Sequence, residues 1–177
     1  MMSILTKTYL PIIKDIFLPN EHYHKVDDID LGKLYDKGYR NLFLDIDNTL
    51  MSYDDRELSL QTLEWVERNK QLGFKCFILS NNSSRNRIER ISRQMKCPGV
   101  YFALKPFTYS IQELARQYNV SLERSIIIGD QLFKDVVLGN WLKMYSILVD
   151  PIDIRHSFFK TLQRDIEVKL LDRLSLT

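Results

Sequence analysis

Four short apolar runs, each closing on polar residues able to do chemistry, constrain this chain's fold more than any other feature. Arg40 to Ile46 delivers Asp45 and Asp47, and Phe74 to Leu79 ends in Ser80-Asn81-Asn82. Val100 to Leu104 ends in Lys105-Pro106, and Ser125 to Ile128 ends in Gly129-Asp130. Near-continuous apolar character over so few residues marks a strand covered on both faces; a half-wet strand would alternate. Helical patterns lie between the runs: Leu60, Leu63, Val66 and Leu72 before Gly73, then Ile88, Ile91 and Met95, then Ile111, Leu114, Ala115 and Tyr118. A further helix is predicted from about Phe133 to Leu142, a last main strand over Met144 to Val149, and an amphipathic helix over Ser157 to Leu174. Such alternation predicts a three-layer α/β/α, Rossmann-like domain with a central, mainly parallel sheet and right-handed crossovers.

Length agrees with one such domain. A chain of 177 residues, 45% of them hydrophobic, can bury a full core and leaves little for a second. The expected division is an N-terminal helical segment over 1–39, a catalytic core over 40–150 and a C-terminal helix over 151–177. A formal charge of +2 is not that of a nucleic-acid binder. Cys76 and Cys97 form no Cys-x-x-Cys pair and are read as reduced, in a cytoplasmic chain. The first apolar stretch is short and interrupted by lysine and aspartate, unlike a secretory signal, and no run is long enough to span a membrane.

Asp45-Ile46-Asp47-Asn48-Thr49 places two carboxylates and a hydroxyl at the carboxyl end of a buried strand, where open parallel sheets bind ligands. Carboxylates crowded there repel each other unless a cation lies between them, and Mg2+, which prefers oxygen ligands, suits that place. The alternative is a turn in which Asp and Asn accept backbone hydrogen bonds.

Taken in order, Asp45-x-Asp47, Ser80, Lys105 and Gly129-Asp130 with Asp135 five residues on, the chain resembles the haloacid dehalogenase (HAD) superfamily of phosphatases. Within it the resemblance narrows to subfamily IIIA and its YqeG-type bacterial proteins, which are similar to phosphatidylglycerophosphate phosphatases. Leu10-Pro11, Lys105-Pro106, Gly139-Asn140 and Phe158-Phe159 extend the likeness over nearly the whole chain. It implies that Asp45 is a nucleophile forming an aspartyl-phosphate and that Asp47 is the acid and base of the two half-reactions. It implies further that Ser80 and Lys105 bind the transferring phosphoryl. Mg2+ would be held by Asp45, the main-chain carbonyl of Asp47 and Asp130, with Asp135 as ligand or support. Asn81 and Asn82 carry no assigned role. Lys134 and Leu104 depart from the residues usual at their positions, and both touch the rim where a substrate would lie.

Asp45 and Ser80 are 35 positions apart, Ser80 and Lys105 only 25. Neither gap has room for a cap domain, so the HAD core is expected uncapped, its site open to large or surface-bound substrates or closed by a second subunit of an oligomer. The expected partner is a phosphorylated substrate. Arg85, Arg87, Arg90, Arg93 and Lys96 against a single Glu89 read either as a solvated helix face or as a basic rim that attracts anionic lipid at a membrane surface. Tyr9 to Pro19 could lie in that interface or pack across the domain. His22 and His24, with His156 the only other histidine, read as surface residues. The specific expectation is a phosphatidylglycerophosphate phosphatase, and the alternatives are a phosphatase of another phosphorylated metabolite or macromolecule and a receiver-like phospho-aspartate module without catalysis. In a receiver the acidic pair precedes the acceptor strand and nothing catalytic follows the Lys-Pro; here Asp130 and Asp135 follow it.

Overall fold

The computed structural model describes residues 15–153. Six strands form one sheet: β1 (Glu21–Tyr23), β2 (Asn41–Leu44), β3 (Lys75–Leu79), β4 (Gly99–Val100), β5 (Ser125–Gly129) and β6 (Tyr145–Val149). Their order across the sheet is β1-β6-β5-β2-β3-β4, and every pairing is parallel. β2 therefore sits centrally between β3 and β5, with successive connections leaving it in opposite directions. Its carboxyl end is the switch point where such sheets open a crevice.

Helices α1 (Gly32–Asp36), α2 (Leu60–Leu72), α3 (Arg85–Met95), α4 (Tyr109–Gln117) and α5 (Val137–Trp141) complete the crossovers. Their ends follow from local chemistry. Ser59 accepts from the Thr62 amide at 3.0 Å to open α2, and Gly73 closes it at φ 115°, a conformation costly for a residue with a Cβ. Ser84 opens α3 in the same way through the Arg87 amide. One face of the sheet is covered by Trp65, Val66, Ile88, Ile91 and their neighbours, with the Trp65 indole donating to the Ile29 carbonyl at 2.9 Å. The other carries Phe43 stacked on Phe77, with Ile111, Leu114 and Leu138 above them. With both faces covered, β2 is buried at all four positions, which is why its sequence does not alternate.

Three expectations change. The run Val100 to Leu104 is not a strand: pairing stops at Val100, and Phe102 and Leu104 take left-handed φ values of 50° and 57°. Within the segment read as helical over 1–39, the described residues contribute the edge strand β1, a 3-10 turn at Val26–Asp28 and the five-residue α1. The helix expected from Phe133 begins instead as a π-helical turn, Leu132–Val136, before α5. The proposed C-terminal helix and residues 1–14 lie outside the described residues. The gaps between Asp45, Ser80 and Lys105 hold α2, β3, α3, β4 and their connections, with no cap. Among the described residues, no helix is long and apolar enough to cross a membrane.

Candidate active site

All four apolar runs deliver their polar ends to the carboxyl edge of the sheet. Asp45 follows β2, and its amide donates to the Ile128 carbonyl of β5 at 3.0 Å, so the ladder itself sets its place. The chain then turns within Ile46–Leu50, with Asn48 at φ 66°, a left-handed conformation that Asn tolerates better than most residues. Ser80 follows β3 and is buried; its hydroxyl accepts from the Asn82 amide at 3.1 Å. Asp130 follows β5. Asp135 lies within the π-helical turn, a distortion common at functional positions, and its Oδ2 accepts from the Gln131 amide at 3.1 Å. The close approach of Asp135 to β5 depends on Gly129, because a Cβ there would lie 2.1 Å from the Asp135 carboxyl carbon.

The centre of the site is one cation between two carboxylates. The Lys105 ammonium donates to Asp45 Oδ1 and to Asp135 Oδ1, each at 2.6 Å, and all three side chains are buried. Burial alone would push the Lys105 ammonium down, but the carboxylates of Asp135 and Asp45 outweigh it and hold its pKa above the ordinary lysine value. Asp130 is less well served. Its Oδ1 has the Thr49 hydroxyl at 3.4 Å and the Gln131 side-chain amide at 3.5 Å, and Thr49 also faces Asp45 Oδ2 at 3.3 Å. Burial, together with the charges of Asp45 and Asp135, pushes Asp130 up to about 8; burial against the opposing pull of Lys105 leaves Asp135 at about 6.

Oxygens of Asp45, Asp130 and Asp135 lie within 4.8 Å of one another. Two oxygens on opposite sides of a Mg2+ ion are about 4.2 Å apart. An all-oxygen donor set carrying three acids against one ammonium, one of them forced towards its neutral form, fits a hard divalent cation. The acidic triad can hold a metal.

Asp47 stands at the rim with different partners. Asn82 donates to its Oδ2 at 2.7 Å, and Arg87 reaches its Oδ1 through Nε at 3.0 Å and Nη2 at 2.9 Å. The same guanidinium donates to the carbonyls of Ser52, at 3.0 Å, and Asp55, so it ties Asp47 to the loop ahead of α2. Asn81 and the Lys105 backbone exchange two bonds: Asn81 Nδ2 donates to the Lys105 carbonyl at 3.0 Å, and the Lys105 amide donates to Asn81 Oδ1 at 2.7 Å. The two asparagines without an assigned role therefore hold Asp47 and Lys105. Arg87, grouped in the sequence with the basic helix face, belongs to the site. No spacing rule announces that; only the approach of α3 to the β2 turn does.

Asp45, Asp47, Ser80, Asn82, Gln131 and Lys134 help line an open cleft of about 240 Å3. That is smaller than the roughly 300–1,000 Å3 of sites that enclose whole drug-sized ligands.

Comparison with known proteins agrees with this geometry. A family model described as HAD-hydrolase-like matches residues 103–151. The probable phosphatase YqeG of Bacillus subtilis (strain 168) is 32% identical over 163 residues, which are 92% of this chain and 94% of that protein. The chloroplastic/mitochondrial phosphatidylglycerophosphate phosphatase 1 of Arabidopsis thaliana is 22% identical over 173 residues, and the match spans 50% of that protein's length. The same fold is found in the cobalt-bound form of the deoxy-D-mannose-octulosonate 8-phosphate phosphatase of Haemophilus influenzae, with a TM-score of 0.53, 15% identity, and coverage of 81% of this chain and 92% of that one. With the parallel sheet and the acidic triad, these sequence likenesses make the protein a HAD-type phosphatase. Identity at that level over nearly the full length of both chains is narrower still: the protein belongs to the YqeG family of these enzymes.

Proposed function

We propose that the protein hydrolyses phosphomonoesters through a phosphoryl group carried transiently on Asp45, with Mg2+ as cofactor. The observation that carries this reading is the Lys105 ammonium bridging Asp45 and Asp135 at 2.6 Å beside an under-satisfied Asp130. Asp45 attacks phosphorus through a carboxylate oxygen as the ester oxygen departs, and Asp47 gives that oxygen a proton. Water then attacks the aspartyl-phosphate, Asp47 takes its proton, and Asp45 is released with inorganic phosphate. Ser80 donates to the transferring phosphoryl, while Lys105 offsets the repulsion between it and the nucleophile. Bound at Asp45, Asp130 and the Asp47 carbonyl, with Asp135 as ligand or support, the ion supplies positive charge for the reacting oxygens.

For the substrate we propose phosphatidylglycerophosphate. The Arabidopsis relative bears that name, and a small open cleft suits a substrate whose phosphate enters while its bulk stays outside. Another phosphorylated metabolite or macromolecule is the second reading. A receiver-like module is disfavoured because Asp135, which comes after the Lys-Pro in the chain, binds that lysine. The test is phosphate release from lipid, nucleotide, sugar and protein phosphates, with Mg2+ or excess chelator, for the wild type beside Asp45→Asn. Release only by the wild type with Mg2+ supports the mechanism; undiminished release by Asp45→Asn or in chelator overturns it, and the preferred class names the substrate.

A further inference from the structure

The basic residues of α3 do not form one face towards the site. Arg87 is engaged with Asp47, Arg85 with Glu89 at 2.6 Å, and Arg90 with the Arg56 carbonyl at 2.9 Å; Arg93 and Lys96 lie further along a helix that leaves the site. The described part of the N-terminal segment is also occupied: Phe17 packs against Leu132, Val136 and Leu148, and Asn140 donates to the Ile16 and Leu18 carbonyls. Residues 9–14 lie outside the described residues, and neither Arg87 and Arg90 nor residues 16–18 are free to face a lipid bilayer.

The connection carrying Lys105 is. Phe102, Leu104, Phe107 and Tyr109 are 55%, 49%, 71% and 77% exposed, and Tyr101 beside them is 43% exposed. So many large apolar side chains within nine residues make a patch, unlike the scattered single exposures of an ordinary surface. The backbone beneath them is pinned: the Phe102 amide donates to the Asn82 carbonyl, Ala103 to Ser80, Lys105 to Asn81 and Phe107 to Leu104. Phe102 and Leu104 take their outward positions on left-handed backbone, which residues with a Cβ seldom adopt. The same fold turns Lys105 inward to Asp45. Charge points to one occupant. From Gly99 to Gln112 the chain has no acidic residue, and Lys134 lines the cleft. Exposed aromatic and aliphatic side chains with no carboxylate among them, beside a cleft that a lysine helps line, suit the interface of an anionic bilayer.

We infer that the loop over 101–109 is a docking surface for an anionic lipid bilayer, seating the open site on the membrane with Phe102, Leu104, Phe107 and Tyr109 in the interface. It deepens the proposed function and rests on it for the reaction carried out there. A 240 Å3 cleft beside such a loop receives a headgroup phosphate while the acyl chains remain in the bilayer.

The test is co-sedimentation with phosphatidylcholine vesicles made with and without phosphatidylglycerol, for the wild type and for Phe107→Ser/Tyr109→Ser. Turnover of para-nitrophenyl phosphate and sedimentation velocity are measured on the same preparations. The wild type is expected to bind the anionic vesicles, less as salt rises, and the double variant to bind about tenfold or more weakly with para-nitrophenyl phosphate turnover unchanged. Phe107→Trp supplies an independent readout, a blue-shifted emission relative to the wild type on anionic vesicles. Equal binding by wild type and double variant, no binding by the wild type, an unshifted Phe107→Trp, or a wild-type dimer that the double variant dissolves without any vesicle binding would each overturn the inference. Loss of para-nitrophenyl phosphate turnover by the wild type would count against the phosphatase mechanism alone, since vesicle binding is read without catalysis.

Discussion

The two carboxylates of Asp45-x-Asp47 sit two residues apart in the chain yet in opposite electrostatic situations. Asp45 belongs to a buried group in which three acids face one ammonium, and Asp130, with contacts of 3.4 and 3.5 Å, is the least satisfied member. Asp47 is at the rim, where Asn82 and Arg87 already meet both of its oxygens. The buried half is incomplete without a further cation, whereas the rim half is complete from the chain alone. Binding of a metal should therefore be felt at Asp45, Asp130 and Asp135, and geometry of proton transfer should be set by Asn82 and Arg87.

The largest expected effect comes from the buried half. Asp45→Asn removes the attacking oxygen while keeping the shape and the contact with Lys105, so turnover should fall by roughly a thousandfold or more with the fold retained. Steady-state phosphate release checked against the thermal melt decides it. Near-wild-type turnover in a preparation free of contaminating phosphatase would remove Asp45 from the mechanism.

Next is the ammonium. Lys105→Met leaves Asp45 and Asp135 buried without their shared partner, which typically costs about 3–5 kcal/mol when one member of a buried ionic group is removed. Chemical denaturation should show that loss in metal-free protein, and added Mg2+ should recover part of it by binding the folded chain. A variant as stable as the wild type would mean the buried half does not depend on Lys105 for its charge balance.

A pH series sharpens the same contrast. The folded-state values of Asp130, about 8, and Asp135, about 6, both lie above the ordinary 3.8, so the folded chain binds more protons than the unfolded one between these limits. The stability those protons contribute is fully present below about pH 4 and is lost as pH rises through about 6 and then about 8. Metal-free protein should melt several degrees lower at the alkaline end of this window. Mg2+ should reverse the trend, because it replaces the protons, and Asp130→Asn should flatten it. A melting temperature independent of pH in chelator would show that the three acids are not strained by their proximity.

Much of this was legible in the sequence, and the reasons for the rest are physical. Runs such as Asn41–Leu44 and Ser125–Gly129 announce buried parallel strands because both faces must be apolar, and the motif residues follow at their ends. Val100 to Leu104 has the same composition and is mostly loop, since period and hydropathy do not distinguish an apolar strand from an apolar loop held in place by Asn81 and Asn82. Glu21–Tyr23 was missed as a strand because three edge residues carry too short a pattern to read. His22 and His24, read as surface residues, both reach Asp150, at 2.9 and 2.7 Å. Cys76 and Cys97 are free and both are buried. The role of Arg87 is the clearest case of long-range placement: its number sits inside a basic helix pattern, and only the packing of α3 beside the β2 turn brings it to Asp47.

Arg87 also gives the smallest expected effect and the finest test of the comparison. Its guanidinium spans Asp47 and the Ser52 and Asp55 carbonyls, a fork that a lysine ammonium cannot reproduce. Arg87→Gln should leave Asp47 held by Asn82 alone, lowering kcat about tenfold while KM changes little, because the cleft and Lys105 remain. Arg87→Lys keeps the charge and loses the fork, so it should recover only part of kcat; full recovery would assign the effect to charge rather than to positioning. The Mg2+ requirement should be unaltered in both variants, since Arg87 contacts none of the three clustered acids and meets Asp47 through its carboxylate, not its main-chain carbonyl. A tightened or weakened metal dependence in Arg87→Gln would show that rim and centre are one coupled unit, and the division between them would fail.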